Sequence, residues 1–61
     1  MNTYLVLNNN AVSRFIVCAN STQKAYELAK EKSNNEVFDR SFLLGKSYEN
    51  EEKVLRELKN L

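Results

Sequence analysis

Three segments of this chain read as strands and carry apolar residues on both faces, while the rest supplies only two short helices to cover them. A sheet with two apolar faces and one helical layer keeps a face bare, and a bare apolar face calls for a partner. The chain has 61 residues, a single small α+β domain over residues 1–61. A domain of that size buries only about 60% of the surface its unfolded form exposes. Small domains of this kind are stapled by disulfides, held by a metal, or paired. Cys18 is the only cysteine and histidine is absent, so neither a disulfide nor a closed zinc site is expected. Pairing is the remedy left.

Residues 3–7 (Thr-Tyr-Leu-Val-Leu) and 13–19 (Ser-Arg-Phe-Ile-Val-Cys-Ala) flank Asn8, Asn9 and Asn10. Two β-prone runs around an Asn cluster predict a hairpin, because Asn tolerates the positive φ of tight turns. With Asn9 and Asn10 as the turn, Leu7 faces Val12, Leu5 faces Arg14 and Tyr4 faces Phe15. One face then holds Leu5, Leu7, Val12, Ile16 and Cys18; the other holds Tyr4, Val6, Phe15 and Val17.

Asn20, Ser21, Thr22 and Gln23 supply helix-start chemistry, and a helix over 22–32 follows with Ala25, Leu28 and Ala29 on one stripe and Tyr26 beside it. Ser33, Asn34 and Asn35 end it. Residues 36–44 alternate as a third strand, with Phe38, Arg40, Phe42 and Leu44 on the more apolar side. Gly45, the only glycine, marks a bend. Residues 50–61 read as a second helix, with Val54, Leu55, Leu58 and Leu61 as its stripe. Glu49, Glu51 and Glu52 sit near its positive end, and the pairs Glu49/Lys53 and Glu52/Arg56 stand four apart. The expected architecture is β-β-α-β-α. Its sheet has three antiparallel strands in the order 2-1-3, since a right-handed crossover places the third strand beside the first. Two short helices then pack on one face, with a closed monomer, one helix on each face, as the competing arrangement.

The raw material of catalysis is sparse. Cys18 is flanked by Phe-Ile-Val and reads as core more than as a nucleophile. Glu36 and Asp39 are isolated carboxylates without a pocket to converge in. The Glu49, Glu51, Glu52 cluster lacks the regular oxygen spacing and glycine of a calcium loop. No catalytic, metal or cofactor site is expected. Arg14, Arg40 and Lys46 lie on or beside strands bearing Tyr4, Phe15, Phe38 and Phe42, a combination that can stack single-stranded bases. The signature aromatic octapeptide of ribonucleoprotein sheets is missing.

A net charge of +1 with interspersed signs argues against a polyanion-binding tail or a DNA mimic. The N-terminal residues lack a basic signal stretch and no apolar run approaches the roughly 20 residues of a membrane span, so a cytoplasmic protein without membrane contact is expected.

The segments Tyr-Leu-Val-Leu and Arg-Phe-Ile-Val-Cys-Ala-Asn-Ser-Thr with two short helices resemble small phage-encoded accessory proteins, including inhibitors of bacterial antiviral defence. That resemblance is architectural. It implies a non-enzymatic module in a bacterial host's cytoplasm that occludes a larger host protein, often as a homodimer. Dimer contacts are expected from Tyr4, Val6, Phe15, Val17, Phe38 and Phe42, and partner contacts from Arg14, Phe38, Arg40 and Tyr48. The alternatives are a small single-stranded nucleic-acid-binding regulator and a structural subunit of a larger assembly.

Overall fold

The computed structural model describes residues 1–8, 13–33 and 35–59, the last without its side chain. Elements follow one another as β1 (Asn2–Leu7), β2 (Ser13–Ala19), α1 (Thr22–Lys32), β3 (Arg40–Lys46) and β4 (Lys53–Lys59). The strands form one antiparallel sheet in the order β3-β1-β2-β4. This corrects the expected three strands and two helices: the segment read as a second helix is a fourth strand on the outer edge of β2.

The physical reason is the edge of β2. Lys, Leu, Arg and Glu favour helix by only tenths of a kcal/mol each. A helical 53–59 would leave a row of β2 backbone N–H and C=O groups without protein partners. As a strand the segment pairs with β2 from Ser13↔Lys59 to Cys18↔Lys53 and sets Val54 opposite Val17. Tertiary pairing overrides the local preference. Glu49 and Lys53 do form an ion pair, at 3.2 Å, but across the entry to β4 and not along a helix. The carboxylate of Glu52 accepts the backbone N–H of Asn20 at 2.9 Å. Ser47 donates its N–H to the carbonyl of Met1 at 2.9 Å. These bonds fasten the β3–β4 connection across the end of the sheet.

β1 and β2 pair with Leu7 opposite Arg14, Leu5 opposite Ile16 and Tyr4 opposite Val17. This register is two residues away from that of a tight Asn9-Asn10 turn; that turn and Val12 lie outside the described residues. Because side chains alternate with a period of two, a two-residue slip keeps each residue on its face, whereas a one-residue slip exchanges the faces.

α1 begins at Ser21, whose hydroxyl accepts the N–H of Lys24 at 3.2 Å. It ends at Ser33, whose N–H donates to the Ala29 carbonyl at 2.9 Å, followed by Asn35 at φ 73° with its N–H on the Lys30 carbonyl. Asn accepts this left-handed conformation; Asn34 lies outside the described residues. The two alanines of the helix stripe, Ala25 and Ala29, are fully buried, and their small side chains let α1 lie close to the sheet. Beneath them sit Tyr4, Val6, Phe15, Val17 and Ala19, with Phe38 closing the cluster and Tyr26, Leu28 and Val54 at its margin. Phe15 and Phe38 meet edge to face, ring centroids 5.5 Å apart at 78°.

β3 begins at Arg40, later than the expected 36–44. The four residues before it are not laddered, which lets Phe38 turn in beneath α1 while Phe42 faces the other way. Phe38, Phe42 and Leu44 therefore do not share a face. The β1–β3 ladder is bulged opposite Thr3 and Tyr4, with Leu44 as the extra residue. Gly45 follows at φ 152°, a conformation L side chains rarely adopt.

Candidate interaction surface

α1 packs over β2, β1 and β4, so one face of the sheet is covered and the other is open. On the open face the register draws three rows across the strands. They are Arg40-Leu7-Arg14-Leu58, Phe42-Leu5-Ile16-Arg56 and Gly45-Thr3-Cys18-Lys53. Leu7 and Cys18 are buried, and Leu5, Ile16, Leu58 and Arg14 are half-buried. Phe42 is 53% exposed, and Leu44 at the bulge is 54% exposed. The centre is therefore apolar, with arginines at three of its margins.

None of the positions in those rows holds a carboxylate. The ion pairs among the described residues are Lys24 with Glu27 and Lys53 with Glu49, so Arg14, Arg40 and Arg56 form no ion pair with any described residue. Arg14 goes further. Its Nε is buried with no hydrogen-bond partner, alone among the described side-chain nitrogens and oxygens. A shielded donor without an acceptor costs about 1–3 kcal/mol, and the long arginine stem covers apolar surface while its head reaches water. Arg14→Met should keep the stem's packing and remove the unsatisfied donor. We expect it to raise stability by about 1 kcal/mol, read as a higher urea midpoint at unchanged m-value.

The structure separates the residues expected at interfaces. Tyr4, Val6, Phe15, Val17 and Phe38 lie in the core beneath α1, each at most 9% exposed; a second copy reaches them only by displacing the helix. Phe38, expected also as a partner contact, is held there by Phe15. Phe42, Arg14 and Arg40 come together on the open face. Tyr48, 95% exposed, stands apart in the connection between β3 and β4. Leu5, Ile16, Arg56 and Leu58 belong to the surface but were not singled out. The sequence did carry one signal for the first two: Arg14 is the charged residue in the β1–β2 runs, and the face that holds it is the one left to solvent. Arg56 and Leu58 are invisible to that signal when 53–59 is read as a helix.

The groups considered for chemistry are spread apart. Cys18 is fully buried, its Sγ 3.4 Å from the Met1 sulfur. Glu36 accepts a hydrogen bond from the Asn8 amide, and Asp39 is exposed one residue before β3. No group of three or more metal-ligating side chains occurs among the described residues. A shallow cleft of about 220 Å³ lies between α1 and the segment before β3, lined by Gln23, Tyr26, Lys30 and Glu36 among others. No helix among the described residues is long and apolar enough to cross a membrane.

Fold and surface together define a small α+β module with one helix-covered and one open sheet face. No family model matches the chain, and neither a curated protein nor a solved structure matches it.

Proposed function

We propose that the chain is a non-enzymatic protein-interaction module. It binds a larger protein through the open sheet face and blocks that surface, as small phage-encoded inhibitors of bacterial antiviral defence do. One observation carries the reading: an apolar centre of Phe42, Leu5 and Ile16 bordered by Arg14, Arg40 and Arg56 with no carboxylate among them. Aromatic and arginine side chains around a desolvated centre are the composition of binding hot spots. The second helix that contributed to the phage resemblance is replaced by β4, so this surface, not the architecture, supports the inhibitory role.

The same charges select the partner. Two copies placed open face to open face would bring six arginines together without an acid, and like-charge juxtaposition across an interface costs several kcal/mol. A protein surface with apolar and acidic residues answers both features. Single-stranded nucleic acid would answer the charge, but Phe42 is the sole aromatic in the three rows, which leaves little for successive bases to stack on.

Affinity capture of the tagged chain from a nuclease-treated bacterial lysate, beside an Arg40→Glu/Arg56→Glu variant, tests this. Both arginines are exposed, so the variant should fold. The expected result is one stoichiometric protein retained by the parent chain and lost from the variant. Equal retention by the variant, or binding only to a labelled dT10 oligonucleotide with a steep salt dependence, would overturn the reading.

A further inference from the structure

The two edges of the sheet are built differently. β4 presents Lys53, Arg56 and Glu57, charges of the kind that keep an edge strand from pairing with another chain. β3 has a charge only near its ends, Arg40 and Lys46, and between them stand Phe42, Leu43 and Leu44, 53%, 64% and 54% exposed. Phe42 lies on the open face opposite Leu5, and Leu43 lies on the other side opposite Tyr4, where α1, packed over β1, β2 and β4, leaves it exposed. β3 is thus apolar on both sides of an unpaired backbone edge. A rigid surface docking on the open face would cover Phe42 and leave Leu43 and that edge in water. An added strand covers all three, because its side chains alternate to both sides while its backbone completes the ladder.

We propose that β3 is a strand-addition site for an extended segment of the partner protein, with apolar residues at its middle and carboxylates near both ends. This inference rests on the protein-binding role assigned above and specifies its geometry. The charges decide the occupant. Arg40 and Lys46 form no ion pair among the described residues, and Arg14 stands two strands from Arg40 in the same row. A second copy adding its own β3 would match the apolar middle but bring two further cations and no acid to them. A segment with terminal carboxylates satisfies both the middle and the ends.

The test is an NMR titration of the ¹⁵N-labelled chain with a capped peptide, Glu-Val-Thr-Val-Thr-Val-Glu. Two controls accompany it, one with lysine in place of both glutamates and one with proline at the centre. The amides of Arg40–Lys46 are expected to shift with the first peptide and about tenfold more weakly with the lysine peptide. No shift is expected with the proline peptide, which cannot complete the ladder. Leu43→Lys, at an exposed position, should abolish the response while leaving the core amides in place. Equal binding of the lysine or proline peptide overturns strand addition, as does the absence of any β3 shift at millimolar peptide. Shifts confined to Leu5, Ile16 and Arg56 would overturn it while leaving the protein-binding reading intact. Sedimentation of the free chain as a dimer with protected β3 amides would give the edge to a second copy.

Discussion

Phe15→Ala should leave a large fraction of the chain unfolded at 25 °C. Phe15 is fully buried at the centre of the helix-covered face, opposite Val6 and edge to face with Phe38. Truncating a buried phenylalanine costs about 3–5 kcal/mol, the lost transfer free energy plus the cavity left behind. At roughly 0.05–0.15 kcal/mol per residue, a domain of this size has only about 3–9 kcal/mol to lose. The cavity would lie between two layers joined largely by alanines, Ala25 and Ala29, which have no length to fill it. Urea titration followed by far-UV circular dichroism should show the midpoint fall to near zero denaturant. A midpoint within 0.5 M of the parent would mean that Phe15 is not the centre of the core.

The second large effect separates β4 from a helix. In a helical 50–61 segment Val54 and Leu55 are both on the buried stripe, and a charge at either is equally damaging. In the sheet they part: Val54 stands opposite Val17 and packs on the core, whereas Leu55 is the extra residue of a bulge and 38% exposed. Val54→Asp places a carboxylate at the half-buried margin of the core, beside Val17 and Leu28 and in a cleft that Lys32 and Lys53 also line. A carboxylate at a half-buried position bears only part of the desolvation penalty of a fully buried one, and we expect about 2 kcal/mol of destabilisation on that ground. Leu55→Lys should cost under about 1 kcal/mol, as surface substitutions do. Denaturant midpoints of the two variants measured side by side decide it. Equal losses would contradict the strand, and the expected inequality would contradict the helix.

Much of the local structure is legible in the chain because it depends on local chemistry. The hairpin strands, α1 with its Ser21 start and its Asn35 left-handed end, and the positive φ of Gly45 follow from residues acting on their own backbone, although Gly45 lies within β3 and not at a bend after it. The division of the hairpin into Leu5/Leu7/Ile16 and Tyr4/Val6/Phe15/Val17 faces also follows from alternation alone, and survives a register two residues from the tight-turn one. Which of those faces the helix covers is not legible from hydrophobicity, since both are apolar. The dimer contacts assigned to Tyr4, Val6, Phe15 and Val17 fell on the covered one. Arg14 was the available discriminator: an unpaired guanidinium is poorly tolerated beneath a helix and well tolerated on a face left to water.

The sequence by itself determined where the hairpin strands and the first helix form, which hairpin residues share a face, and that apolar surface exceeds the available cover. Only the tertiary structure decided that Lys53–Lys59 is a strand, that Phe38 enters the core while Phe42 leaves it, and that three arginines from β2, β3 and β4 border one face. Capping and alternation act within a few residues and are written in them. The state of 53–59 depends on the unpaired edge of β2, more than thirty residues away, whose hydrogen bonds outweigh the tenths of a kcal/mol per residue by which its own side chains prefer a helix.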